Sequence, residues 1–223
     1  MQDFRRKLGK PIMELTGTFI LVFTIQLAVS SAGKMAPISV GLALMAAIYA
    51  GGPISGAHYN PAVSLAVFLR GKTTLHEMLI YWAFQIAGGF LGACLGGIVS
   101  GDHATVSVVK GYFLGQALLA EVIWTFVLCF VVLGVATNSA TEGNSFFGAA
   151  IGLTVTAGAF AVGGISGGAF NPAVALGLSF AAHLSNISYS GFVTCANLFG
   201  GALAAAIFFI VAPPEEFTYD RIV

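Results

Sequence analysis

Residues 165–178 read ISGGAFNPAVALGL, and residues 54–67 read ISGAHYNPAVSLAV. Counted from Ile54 and Ile165, eight of the first thirteen positions are identical, and Asn, Pro and Ala are among them. The Asn-Pro pair has a local meaning. Asn is a strong helix N-cap, its side-chain oxygen accepting from a backbone N–H two or three residues on. Pro suits the first helical position, where its missing N–H has no intrahelical partner to lose. Each stretch therefore predicts a loop, a cap at Asn60 or Asn171, and a helix that starts at Pro61 or Pro172.

What surrounds these stretches is almost entirely apolar. Hydrophobic residues make up 57% of the 223-residue chain and charged residues 8%, against about 25% charged in a soluble domain. Mean hydropathy is +0.92. So few charges cannot cover a globular surface, and a polytopic membrane protein is the class that remains. Formal net charge is zero, which gives no reason to expect a nucleic-acid partner. The cysteines Cys94, Cys129 and Cys195 sit in apolar stretches without metal or disulfide spacing. They are expected to be small buried residues, with no metal and no cofactor.

A helix needs about 20 apolar residues to cross the hydrocarbon core. Six runs qualify, at Pro11–Ser31, Ala36–Gly52, Leu75–Ser100, Phe113–Ala136, Phe146–Gly163 and Ile187–Ala212. Asn60–Leu69 and Asn171–Ala181 would be only about 15–17 Å long as helices, half a bilayer each. Arg5, Arg6, Lys7, Lys10, Arg70, Lys72 and Arg221 fall on one side of this arrangement, Lys34 and Lys110 on the other. The positive-inside rule then places both termini in the cytoplasm. The opening MQDFRRKLGK does not read as a cleavable signal. The tail APPEEFTYDRIV reads as a frayed terminus.

The two halves echo each other beyond the Asn-Pro-Ala boxes. Glu14, Thr18 and Phe19 match Glu121, Thr125 and Phe126, and Gln85, Gly88 and Gly89 match Asn197, Gly200 and Gly201. Each half carries three spans and one half-span. Because three is odd, the halves (about 10–110 and 113–212 of one channel domain) lie in opposite orientations. In inverted repeats, paired short segments broken by Gly or Pro point to the transport site. The two half-helices are then re-entrant and meet near the midplane, each N-terminus bringing roughly half a positive charge. Two such ends at one point repel cations. With each Asn oxygen used for capping, each NH₂ is expected to face the lumen. Irregular backbone at membrane depth is tolerated where it lines a wet cavity. Gly56, Ala57 and His58, and Gly167, Ala169 and Phe170, are expected to run extended along the pore and offer it their carbonyls.

On these motifs the chain resembles the aquaporin (major intrinsic protein) family over about residues 10–210. The resemblance implies an all-α fold of six transmembrane helices plus two re-entrant half-helices in an inverted repeat. It also implies a homotetramer in the lipid bilayer, of plasma or vacuolar membrane, with one pore per protomer for water or small neutral solutes. Asn60, Pro61, Ala62, Asn171, Pro172 and Ala173 become the signature boxes. Glu14 and Glu121 become the carboxylates that hold the loops, rather than the proton relay an intramembrane carboxylate otherwise suggests. Counting from the boxes, the family's selectivity filter falls on Val40, Ala159, Gly168 and Val174. The family usually has aromatics, His and Arg there, with Arg at the place of Val174.

An apolar ring without Arg has no fixed bidentate donor. It is expected to be wide and to admit glycerol, urea, ammonia or hydrogen peroxide beside water, although Ala175 lacks the Asp usual in glycerol facilitators. An ion-conducting channel on the same scaffold is the alternative, and the ring carries no charge to favour it. No nucleophile, phosphate loop or metal cluster suggests an enzyme. Gating by His58 or His183 is a weaker expectation, as is a glycan on the sequon Asn186-Ile187-Ser188. Gly88, Gly92 and Gly96 predict a close helix contact. Because Gly168 stands where the family often has a mercury-reactive Cys, mercurials should leave water flux intact in a variant lacking Cys94, Cys129 and Cys195. Stopped-flow light scattering checks this, and residual inhibition would contradict the assignment.

Overall fold

The computed structural model describes residues 2–212, with side chains from Leu8 onward. The charges of Arg5, Arg6, Lys7 and Arg221, and the tail from residue 213, lie outside the described side chains. Eight helices follow in order: α1 (Gln2–Ser31), α2 (Ala36–Ser55), α3 (Pro61–Leu69), α4 (Leu75–Ser100), α5 (Leu114–Ala136), α6 (Phe147–Ser166), α7 (Pro172–Ala181) and α8 (Ile187–Val211). No strand occurs among the described residues. All but α3 and α7 are long and apolar enough to cross a bilayer. The chain is an integral, multi-pass membrane protein.

Two helix C-termini run three residues beyond the sequence reading. Helix α2 continues past Gly52 to Ser55 with Pro53 inside it, and α6 continues past Gly163 to Ser166. Pro53 removes one backbone bond near the end of its helix, where few turns remain to be broken. Both helices then stop at a left-handed glycine, Gly56 at φ 86° and Gly167 at φ 88°. A residue with a Cβ is disfavoured in that conformation.

The packing comes in matched pairs. Helix α1 packs on α4 as α5 does on α8, α3 packs on α8 as α7 does on α4, and α2 and α6 meet each other. Exchanging the first four helices for the last four maps each contact onto its counterpart. Small residues make the approaches close enough. A Cβ on Gly88 or Gly92 would fall 2.3 or 2.6 Å from a backbone oxygen of α1, that of Leu15 or Phe19. Gly96 is equally tight against Gln26 of α1, and Gly200 against Val122 of α5.

Two further glycines seat the half-helices. A Cβ on Gly89 would lie 2.5 Å from the Ala173 carbonyl oxygen, and one on Gly201 would lie 2.6 Å from that of Ala62. Each half-helix is thus braced by a full span of the other repeat. The cysteine expectation holds only in part. Cys129 is buried, Cys94 is half-buried and Cys195 is exposed on the flank of α8, where lipid covers an apolar side chain as well as protein does.

Gly201→Ala should destabilise the fold by about 1–3 kcal/mol through overpacking, lowering the melting temperature in detergent. Gly164→Ala, which meets nothing within 4 Å, should leave the temperature unchanged.

Candidate functional site

Between α2 and α3, and again between α6 and α7, four residues leave helical geometry in the interior of the protein. Their backbone is not extended. Gly56, Ala57 and Tyr59 have φ of 86°, 52° and 49°, and Gly167, Gly168 and Phe170 have 88°, 66° and 49°. This curl corrects the expectation of two extended strands of carbonyls. It has a physical reason, because it turns successive N–H groups toward one buried acceptor.

That acceptor is a carboxylate. Glu14 Oε1 accepts from Ser55 Oγ at 2.6 Å and the His58 N–H at 3.0 Å, while Oε2 accepts from the Tyr59 N–H at 2.7 Å and Gln85 Nε2 at 2.8 Å. Glu121 repeats this group for group. Its Oε1 accepts from Ser166 Oγ at 2.7 Å and the Ala169 N–H at 3.0 Å, its Oε2 from the Phe170 N–H and Asn197 Nδ2, both at 2.8 Å. Both glutamates are completely buried. Ionised carboxylates only accept, and four donors converge on each. At Oε2 both partners are N–H groups, so this oxygen can only accept.

The serines close the curl by accepting the Ala57 and Gly168 N–H groups, each at 3.1 Å. Tyr81 and Tyr189 hydroxyls bond the serine carbonyls at 2.7 and 2.8 Å. The repeat match of Gln85 with Asn197 was visible in the sequence, but their role was not. Tyr81 and Tyr189 escape alignment because Tyr81 precedes Gln85 by four residues and Tyr189 precedes Asn197 by eight, one turn further.

The caps are as the sequence predicts. Asn60 Oδ1 accepts from the Ala62 N–H at 2.8 Å and Asn171 Oδ1 from the Ala173 N–H at 2.9 Å. Their amide nitrogens are not left wholly to the lumen. Asn60 Nδ2 donates to the Phe170 carbonyl and Asn171 Nδ2 to the Tyr59 carbonyl, both at 2.9 Å. Each cap thus ties its loop to the other one, and one amide hydrogen on each remains. The starts of α3 and α7 stand head to head, so the positive ends of both dipoles converge.

A cavity of about 460 Å³ runs past this junction. Asn60 and Asn171 border it, as do Gly56, Ala57, His58, Gly167, Ala169 and Phe170. Val40, Ala159, Gly168 and Val174 all border it too. Pro61, Ala62, Pro172 and Ala173 do not; they are buried in the first turns of the half-helices. Most of the remaining wall is aliphatic, with Leu44, Ile48, Leu128, Val132, Ile151 and Leu178. A second cavity of about 200 Å³ continues from the same Gly56, His58, Val132 and Ala136 to Lys10, Lys72 and Glu77. Along α1 the combined lining reaches from Lys10 to Val29, about 29 Å of helix, or one hydrocarbon thickness.

One part of the wall was missed. Loop residues Ala104, Thr105, Val106, Ser107 and Val109 border the end of the cavity farthest from Lys10. Gln26, fully buried in α1, holds this loop by accepting from the Ala104 N–H at 3.0 Å and donating to the Asp102 carbonyl at 2.9 Å. A glutamine in mid-span was the available signal, since polar side chains inside a span need a partner. Asn186 is exposed and donates to Thr105 Oγ1 at 3.2 Å. His183 is also exposed and does not border the cavity.

The family model for the major intrinsic proteins matches residues 4–208. A probable aquaporin, NIP4-2 of Arabidopsis thaliana, is 33% identical over 178 residues, covering 75% of this chain and 62% of that protein. Aquaporin AqpM of Methanothermobacter marburgensis is 31% identical over 212 residues, covering 81% and 84%. Aquaporin-8 of Rattus norvegicus is 36% identical over 179 residues, covering 74% and 68%. The match thus spans a little under two thirds of the length of the plant relative. The X-ray structure of the aquaglyceroporin from Plasmodium falciparum superimposes with a TM-score of 0.78 over 93% of this chain and 97% of that one, at 24% identity; it shows the shared fold.

Glu121→Gln would place an NH₂ against the donors at Oε2 or Oε1. Hydrogen bonds to a charged group contribute about 1.5–3 kcal/mol each, so a loss of about 3 kcal/mol is expected. That corresponds to roughly 6–12 °C of melting temperature at this chain length, read by thermal unfolding in detergent.

Proposed function

The chain belongs to the major intrinsic protein family, and we propose that it is a passive channel for water and small uncharged solutes. The observation that carries this reading is the lined passage through the half-helix junction, with donors at its centre and, among the described residues, no Lys, Arg, Asp or Glu bordering the larger cavity. Water or a hydroxyl presents its oxygen to the remaining amide hydrogens of Asn60 and Asn171. Converging helix N-termini disfavour a cation at the same place. This argues against the ion-conducting alternative. The buried glutamates are saturated by hydrogen bonds, which argues against a proton-coupled transporter.

Val40, Ala159, Gly168 and Val174 form the selectivity ring in this proposal. Its apolar character supports passage of glycerol, urea, ammonia or hydrogen peroxide. The aquaglyceroporin likeness is at the level of fold. A homotetramer, cytoplasmic termini and a plasma or vacuolar membrane belong to the same proposal. The first is supported by the family, the second by the charge asymmetry of the loops. The function does not call for catalysis.

Proteoliposomes mixed with hyperosmotic glycerol test the reading. Fast shrinkage and then fast re-swelling are expected, reporting water and glycerol in turn. Val174→Arg should slow the re-swelling at least about tenfold, the effect of 1.4 kcal/mol on a barrier, while shrinkage persists. Unchanged re-swelling would remove Val174 from the filter, and currents that scale with protein content would favour the ion channel.

A further inference from the structure

One pair of polar side chains breaks the repeat. His58 and Ser64 of the first segment have Ala169 and Ala175 at the matching positions of the second. The pair is in contact, with His58 Nδ1 at 3.1 Å from Ser64 Oγ. Gln85 differs from its counterpart in the same region. Gln85 and Asn197 each donate one amide hydrogen to their glutamate. Asn197 gives the other to Thr125 Oγ1 at 2.9 Å, whereas the longer Gln85 reaches Ser64 Oγ at 2.9 Å.

This connectivity has a direction. Glu14 Oε2 already accepts the Tyr59 N–H and can only accept, so Gln85 turns its NH₂ toward it. The second hydrogen of that NH₂ then points at Ser64. Ser64 Oγ accepts this bond and has one hydrogen of its own, for which Nδ1 of His58 is the acceptor at hand. With the proton on Nδ1 instead, two donors would converge on Ser64. Its own hydrogen would then be buried without a partner among the described residues, which is unfavourable. The proton of neutral His58 therefore belongs on Nε2. Tyr81 holds the ring edge-to-face at 5.2 Å. A Cβ built on Gly56 would lie 3.4 Å from Nε2, so Nε2 is on the Gly56 side of the ring, and Gly56 and His58 border both cavities.

We infer that Gln85 and Ser64 are positioning residues that hold His58 as the Nε2–H tautomer. His58 then offers the passage a hydrogen-bond donor and keeps its basic nitrogen out of it. The ligand group recognised is an oxygen acceptor, such as water, a hydroxyl or a carbonyl. A hydronium ion meets no free imidazole nitrogen at this point. The functional half of the inference rests on the channel reading; the tautomer does not.

The test uses the full chain with ¹⁵N-labelled histidine in liposomes. Solid-state NMR reports protonation of each ring nitrogen, and His58→Phe assigns the signals. A bare Nδ1 and a protonated Nε2 are expected at neutral pH. Ser64→Ala should yield both tautomers, and Ser64→Thr should retain the wild-type spectrum. In the same vesicles a trapped pH dye should show a several-fold faster proton leak for Ser64→Ala but not for Ser64→Thr. A protonated Nδ1 in the wild type, or an unchanged Ser64→Ala spectrum, would overturn the tautomer assignment. A changed spectrum with unchanged leak would overturn its role in the passage. If Ser64→Ala does not fold, the wild-type and Ser64→Thr spectra still decide the first point. The expected spectrum in vesicles that pass neither water nor solute would sink the channel reading alone.

Discussion

Backbone that leaves the helix at membrane depth is tolerated only where protein or a water-filled cavity satisfies its polar groups. Everything distinctive in this protein follows from how two such stretches are satisfied. Glu14 and Glu121 lie completely buried in α1 and α5, and each gathers two loop N–H groups, a serine hydroxyl and an amide. A buried charge is unfavourable unless its oxygens are fully bonded. Here the same bonds that neutralise that penalty shape the loops. Curling the backbone through left-handed residues is unfavourable on its own. It persists because the carboxylate is surrounded from four directions.

The junction of the half-helices depends on this arrangement. With loops so held, Asn60 and Asn171 can cap their own helices and also reach the opposite loop. One side chain serves local and tertiary structure at once. The glycines at 89 and 201 then let a full span of the other repeat rest on the first turn of each half-helix. Positive helix ends, amide donors and an aliphatic wall are thereby brought to one place.

Pseudo-symmetry sets the framework, and its exceptions are informative. The loop at 102–109, anchored by Gln26, borders one end of the cavity. The His58–Ser64 pair occurs in one half only. Tyr59 bonds the Ala47 carbonyl through its hydroxyl, whereas its counterpart Phe170 has none and packs near Trp124. The two halves share the hydrogen bonds that fold the loops and differ in the groups that meet the cavity.

The eight helices, the caps at Asn60 and Asn171 and the pairing of the halves were legible in the chain because they depend on local signals. Apolar length, Asn-Pro order and matched residues at a fixed offset are all one-dimensional. Counting from the boxes led to Val40, Ala159, Gly168 and Val174 as the proposed filter, and all four border the cavity. The curl of the loops was not legible beyond its first glycine, since nothing in Ala-His-Tyr specifies left-handed backbone at Ala57 and Tyr59; the distant glutamate does. Nor could the sequence tell that each Asn amide crosses to the other loop, or that Gln85 reaches Ser64 where Asn197 reaches Thr125. Those bonds join residues 71–112 positions apart or lie across helices. The sequence by itself determined which segments are helical and where they begin. The tertiary structure alone decided which donors remain for the passage, because a hydrogen is free only after every other partner has been placed.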